Sequence, residues 1–246
     1  MRESNIDEVK PVAGVCRCGA LIEPVYCEAI PRLSLPGKWR ITEDCQECAN
    51  KAAEAQSAFE AKQAEKRLWE KSGLSNIHFS MGLDNYNFPE NSALPAAVTD
   101  AIYGNKNLFL TGSTGTGKTH LAVAILRARI ERTKTRGMFV SMPELMVRMR
   151  QAIKHHNDDD LLDEISGQHH LVLDDLGVER PTDYSLERLY MIIDRWYRAQ
   201  KGGLVLTSNR PLGWIAEKLD DRLASRIAGM CDVFAIEGAD KRLEKK

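Results

Sequence analysis

Asn107-Leu108-Phe109-Leu110-Thr111-Gly112-Ser113-Thr114-Gly115-Thr116-Gly117-Lys118-Thr119-His120-Leu121-Ala122-Val123-Ala124-Ile125-Leu126 is the stretch that decides how this chain folds. Its first five residues read as a buried strand and its last seven as the opening of a helix. Between them lies the octapeptide GSTGTGKT, which fits G-x-x-x-x-G-K-[ST]. A strand, a glycine-rich turn and a helix N-terminus make a cradle in which backbone N–H groups and the helix dipole favour bound phosphate. In that arrangement Lys118 reaches the β- and γ-phosphates and the Thr119 hydroxyl ligates Mg²⁺. The spacing therefore predicts a nucleoside triphosphate site formed by Gly112, Ser113, Thr114, Gly115, Thr116, Gly117, Lys118 and Thr119.

Outward from this stretch, apolar strand-like runs at 107–111, 137–141, 170–174, 203–208 and 232–236 alternate with helical patterns such as 118–132 and 184–200. In the latter, Leu186, Leu189, Ile193 and Trp196 share one face. Alternation of this kind implies an α/β fold, a five-stranded parallel sheet flanked by helices. Leu171-Val172-Leu173-Asp174-Asp175 ends in two acids that the sheet delivers beside the phosphate cradle. Asp174 is assigned to the Mg²⁺ shell and Asp175 to polarising the attacking water. A solvated turn would also carry two acids, but the apolar run before them argues against it. The strand Leu204-Val205-Leu206-Thr207-Ser208-Asn209 brings Asn209 to the same end, where a neutral amide can hold water or sense the γ-phosphate. Asn209-Arg210-Pro211 is also good turn chemistry. Arg222 and Arg226 lie four apart on one helix face, as trans-acting fingers on a neighbour's phosphates or as surface ion pairs to Glu217 or Asp220.

In this order GSTGTGKT, LVLDDLG, LVLTSN and DRLASRI resemble the AAA+ ATPases of the DnaC/DnaI helicase-loader group, which includes the IstB transposition helpers. The segment 75–86 is similar to the one these proteins carry near the adenine pocket. The resemblance covers about residues 74–240. It implies an ATPase with Gly112 to Thr119 as Walker A, Asp174 and Asp175 as Walker B, Asn209 as sensor 1 and Arg226, with Arg222 beside it, as arginine finger. The second acid departs from the common Glu, and its shorter reach suggests slow hydrolysis. The group's lack of a lid domain implies a site completed by a neighbour in a ring or spiral. Implied partners are the replicative DNA helicase and single-stranded DNA. The IstB transposition role and a nucleotide-gated adaptor with negligible hydrolysis are the alternatives.

The N-terminal part has another composition. Cys16, Cys18, Cys45 and Cys48 form C-x-C and C-x-x-C pairs, each suited to a tight turn presenting two thiolates, and together they predict a Zn²⁺ site. Cys27 could replace one ligand or stand idle, buried free thiols are the plainer alternative, and Cys231 reads as core. Residues 1–48 are thus expected to be a zinc module, 49–73 a solvated linker helix ended by Ser72-Gly73, and 74–246 the ATPase domain. In the resembling group such a module engages the helicase, and the IstB relatives generally lack it.

Hydrophobic residues at 43%, charged residues at 28% and a net charge of −1 give a globular composition with no global field for nucleic acid. No apolar run nears the roughly 20 residues of a membrane span and no signal peptide is visible, so a cytoplasmic protein is expected. Local basic clusters remain as DNA candidates: Arg127, Arg129, Arg132, Lys134 and Arg136, then Arg148, Arg150, Lys154, His155 and His156. Asn157-Asp158-Asp159-Asp160 reads as a solvated loop rather than a metal site.

Overall fold

The structure, a computed structural model, describes residues 13–27, 38–40, 44–89, 92–155, 157–177 and 181–241. The chain divides into two compact units, Met1–Ala64 and Glu65–Lys246, so the division falls inside a helix. In the first unit β1 (Gly14–Val15) pairs antiparallel with β2 (Leu21–Ile22), and β3 (Val25–Cys27) with β4 (Lys38–Arg40). Helix α1 (Gln46–Glu70) follows and buries none of its residues, as its Ala, Glu, Gln and Lys composition suggests. It begins earlier than the expected 49, taking Cys48 into its first turn. His156 lies outside the described residues, as does the side chain of Cys27, whose backbone pairs with Lys38 at the end of β3.

The second unit is built on α2 (Leu94–Tyr103), β5 (Asn107–Thr111), α3 (Lys118–Thr133), β6 (Gly137–Ser141), α4 (Met142–His155), α5 (Asp158–Ser166), β7 (His170–Leu176), α6 (Asp183–Arg198), β8 (Leu204–Ser208), α7 (Leu212–Lys218), α8 (Asp221–Met230) and β9 (Cys231–Ala235). The five strands pair in the order β6-β7-β8-β5-β9, all parallel. Strand alternation sorts their side chains onto two layers. Leu108, Leu110, Val172 and Val205 face α2 and α3, where Val98, Ala101, Leu121 and Ile125 meet them. Phe109, Leu171, Leu173, Leu204 and Leu206 point the other way, onto Leu145, Leu162, Ile193, Trp196 and Ile227. Each such burial is worth about 1.5–3 kcal/mol before the entropy of ordering is subtracted, and together they fix which sheet end carries the acids. Cys231 opens β9 and is core, its thiol pushed up by burial. No helix among the described residues is long and apolar enough to cross a membrane.

Two expectations change here. Residues 158–160 are the first turn of α5, not a loop; Asp158 accepts from Tyr184 Oη at 2.9 Å and Arg188 Nη2 at 2.5 Å, bracing α5 against α6. The basic cluster of α3 is mostly structural. Arg129 is buried, 3% exposed, and its guanidinium donates to the carbonyls of Ala101, Gly104 and Lys106 while meeting His170 Nδ1 at 3.2 Å. Arg132 caps Ile102 O at 3.0 Å, and Arg127 donates to Phe79 O and Met81 O at 2.8 and 2.9 Å. These arginines satisfy carbonyls at the end of α2 and in the segment before it, so Arg129 is withdrawn from any nucleic-acid surface.

A consequence is measurable. Arg129→Ala leaves carbonyls of Ala101, Gly104 and Lys106 without this donor and is expected to cost at least about 1–3 kcal/mol, the penalty for a buried acceptor left unpaired, read as a fall in denaturant midpoint at unchanged slope. Burial first, and then the Arg129 charge, hold the neighbouring His170 down at about 4, against about 6.5 unfolded. The unfolded chain thus binds the extra proton first. Stability is expected to fall as pH drops from about 6.5 toward 4; equal denaturant midpoints at pH 7 and 4.5 would contradict it.

Candidate functional site

The phosphate cradle forms where β5 turns into α3. Gly112 and Gly117 hold φ of +146° and +97°, which only glycine adopts at low cost. A Cβ on Gly112 would sit 2.1 Å from Ile236 O, and one on Gly117 3.2 Å from the Tyr86 ring. The loop is therefore bare backbone at these two positions, while at Gly115 the Asp240 carboxylate lies against it and Lys241 N donates to Gly115 O at 3.2 Å. Thr116 Oγ1 donates to Ser113 O at 3.0 Å, and Lys118 Nζ donates to Gly112 O and Ser113 O at 3.0 and 2.7 Å, laying its charge across the cradle. Gly115 and Thr114 complete the turn, with Gly115 at φ +78°.

Thr119 stands in the first turn of α3 and donates to both Asp174 oxygens, at 2.9 and 3.1 Å. Asp174, on β7, is 5% exposed, and Thr207 Oγ1 of β8 also donates to it at 2.6 Å. Burial raises its pKa, opposed by the Thr207 hydrogen bond. A buried carboxylate facing a hydroxyl across one point is a hard-oxygen site of the kind Mg²⁺ takes. Thr119 and Asp174 would hold the ion, which would neutralise charge on the phosphates.

β7 runs two residues past the expected 174 because its pairing with β8 shifts between Leu173 and Leu176. Asp175 occupies that irregularity with φ +63°, unusual for a non-glycine residue. Thr207 stabilises it, since Oγ1 accepts from Asp175 N at 2.9 Å. The Asp175 carboxylate reaches Asn209, whose Nδ2 donates to Oδ1 at 3.2 Å. Ser208 Oγ ties the strand end, donating to Leu176 O at 2.6 Å and accepting from Arg210 N at 3.0 Å. Strand order thus brings Thr119, Asp174, Asp175 and Asn209 together.

The arginines do not join this cluster. Arg226 donates through Nε to Asp194 at 2.9 Å and lies over the Tyr197 ring, 4.5 Å from its centroid. Arg222 pairs with Asp220 at 2.8 Å over Tyr190. Both partners are acids of the same chain, one of them Asp194, which the sequence did not suggest.

Sequence reading also missed Thr207, which positions both acids. Its signal was the first polar residue after the apolar run of LVLTS, one place before the strand end. Tyr86, the last residue of the segment 75–86, was not singled out there: it is buried at 6%, lies against Gly117, and its ring meets His120 at 5.5 Å. His120 in turn holds Gly82 O at 2.9 Å, seating the segment before α2 on the helix that bears the cradle.

In the first unit, Cys16 and Cys18 sit in the β1–β2 turn, closed by Gly19 N donating to Cys16 O at 2.8 Å with Gly19 at φ +90°. Cys45 precedes α1 and Cys48 lies in its first turn. The four Sγ atoms all lie within 4.8 Å of one another. Backbone N–H groups of Cys18 and then Cys45 lower the Cys16 thiol to about 7, and the hydrogen bond with Cys18 is first among the causes raising Cys48 to about 12. This donor set fits a tetrahedral thiophilic cation.

Comparison with known proteins agrees with this geometry. The family described as IstB-like ATP binding protein matches residues 51–246. The replicative helicase loader DnaC of Escherichia coli is 26% identical over 169 residues, covering 65% of this chain and 68% of that one. The ATP-binding protein of insertion sequence IS21 from Pseudomonas aeruginosa is 24% identical over 147 residues, 58% of this chain and 54% of that one. A crystal structure of the DnaC helicase loader superposes with a TM-score of 0.60 and 30% identity, covering 66% of this chain and all of that one. With an AAA+ sheet order, a glycine cradle and two placed acids behind it, the chain belongs to the IstB-like ATP binding protein family, as an AAA+ ATPase.

Proposed function

We propose that this protein loads a replicative DNA helicase onto single-stranded DNA in the cytoplasm, with ATP binding and hydrolysis as the switch of its assembly. The observation that carries the reading is the likeness to DnaC across that structure's whole length, combined with a four-cysteine cluster ahead of the ATPase unit. In this reading Zn²⁺ on Cys16, Cys18, Cys45 and Cys48 shapes the surface that grips the helicase. Lys118 and the cradle bind ATP, Asp175 with Asn209 places the attacking water, and Arg226 reaches the nucleotide of the next subunit. The test is capture of purified replicative helicase by the full chain. Association that depends on ATP is expected, and none with or without ATP would sink the proposal.

The IS21 relative supports a second reading, a transposition helper with the same motor. Association with a transposase in place of the helicase would select it. A nucleotide-gated adaptor is the third, and a near-zero turnover unaffected by DNA would favour that.

For DNA, α4 is the better surface. Arg150 and Lys154 are exposed one turn apart beside Val147 and Ile153, whereas Arg148 pairs with Glu164 at 2.6 Å. Removing both Arg150 and Lys154 as alanines is expected to weaken single-strand binding and to flatten the log–log salt slope by about 1.4, two phosphates at about 0.7 each. An unchanged slope would take α4 out of the DNA path.

A further inference from the structure

Arg222 and Arg226 lie on one face of α8 over two tyrosines of α6, yet their surroundings differ. Arg222 spends Nε and Nη2 together on Asp220, at 3.3 and 2.8 Å, and that carboxylate also caps α8 by accepting from Leu223 N at 3.0 Å. A fork closed on its own capping acid is a local brace. Arg226 meets Asp194 through Nε alone, so its terminal Nη groups lie outside that ion pair. Its guanidinium is laid on the Tyr197 ring. Gly229 leaves room for that ring: a Cβ there would come within 3.0 Å of Tyr197 Cε2.

Asp194 is itself unusual. It is 8% exposed, and its second oxygen takes Arg198 Nε at 2.5 Å. Two cations on one buried carboxylate mean that Asp194 keeps a counter-charge even when Arg226 engages another anion. The Asp194 hydrogen bond first, and then Tyr190, by charge and by a hydrogen bond of its own, favour the charged guanidinium. An arginine held at Nε, resting on an aromatic face, has lost most of its freedom before any phosphate arrives.

We infer that Asp194 is a positioning residue, holding Nε of Arg226 so that its terminal nitrogens meet the nucleotide phosphate of a second copy of this chain. The inference rests on the finger reading of Arg226 and deepens it. Tyr197 supplies the platform, Arg198 the standing counter-charge, and Arg222 serves as a brace of α8 rather than a second finger.

The experiment measures ATP turnover of the assembled full chain with Mg²⁺ and single-stranded DNA. Arg226→Ala is expected to lower it by about 10³-fold or more, with ATP affinity unchanged. Wild-type turnover in that variant, or no assembly-dependent turnover in the unaltered protein, would overturn the finger reading itself. Asp194→Asn is expected to lower turnover by about 10²-fold, the scale of a misplaced group, again at unchanged ATP affinity. Asp194→Glu keeps the charge for Arg198 but displaces the carboxylate by one methylene, and about a 10-fold loss is expected on the same scale. Mixing either variant with Asp175→Asn subunits, whose Arg226 is still placed, is expected to restore turnover at the variant subunits' own sites. Full turnover in both Asp194 variants alongside a dead Arg226→Ala would overturn the positioning role and leave the finger intact. A loss that mixing does not restore would mark Asp194 as a folding residue and overturn it equally.

Discussion

Asp175→Asn is expected to lower ATP turnover by about 10²–10⁴-fold, the range for removing a general base, while ATP affinity stays within about twofold. The division of labour between the two acids argues for this outcome. Asp174 is enclosed by Thr119 and Thr207, two hydroxyls beside a buried carboxylate, so in this proposal it would hold the Mg²⁺. Asp175 is rotated out of strand geometry by the shift in β7–β8 pairing and shares its carboxylate with Asn209, so in this proposal the pair would place the attacking water. Asparagine tolerates the left-handed backbone at this position, so the exchange removes basicity without disturbing the strand. Asp174→Asn should behave differently, losing Mg²⁺-dependent affinity along with turnover. Single-turnover hydrolysis and Mg²⁺-dependent nucleotide binding, measured on both variants, separate the cases. Equal phenotypes would show that the acids act as one ligand set, and unchanged turnover in Asp175→Asn would remove it as the base.

What could be read from the chain was what local spacing encodes. GSTGTGKT sits between an apolar run and a helix, and those flanks fix the cradle before any tertiary contact is known. The apolar runs ending in Asp174 and Asn209 likewise carried their own register. Arg129 defeated the reading because its neighbours on α3 say nothing about the α2 carbonyls it satisfies; basic residues near a helix end look alike until the opposite helix is placed. Asp194 failed for the same reason, since its partner Arg226 lies 32 residues away on another helix. The left-handed turn at Asp175 had no sequence mark at all. It follows from a pairing shift between two strands, and only Thr207 in the neighbouring strand makes it affordable. Residues that position others are the hardest to read, because their chemistry is spent on side chains distant in sequence.

Withdrawing metal is expected to unfold the cysteine unit while leaving nucleotide affinity intact. The four sulfurs already stand close to a metal's dimensions. A tetrahedron with Zn–S of about 2.3 Å has S–S edges of about 3.8 Å, and Cys18 Sγ lies 3.6 Å from Cys45 Sγ. That separation is far from the roughly 2.0 Å of a disulfide. Little else holds these residues. Their strands are two or three residues long, and among their described side chains only Cys16, Ile22 and Pro24 are buried. A segment this short cannot build a core that offsets its chain entropy, whereas structural zinc supplies an apparent 10–16 kcal/mol or so at neutral pH. Metal analysis of the full chain should give one zinc per chain, and Cys48→Ser should lose most of it. Chelation should expose residues 13–48 to protease and abolish helicase capture, with ATP binding by the cradle unchanged. Protease resistance that survives chelation would mean that the thiols hold the fold by burial alone. Helicase capture that survives zinc loss would move the partner surface off this unit, because no other described feature here could keep it shaped.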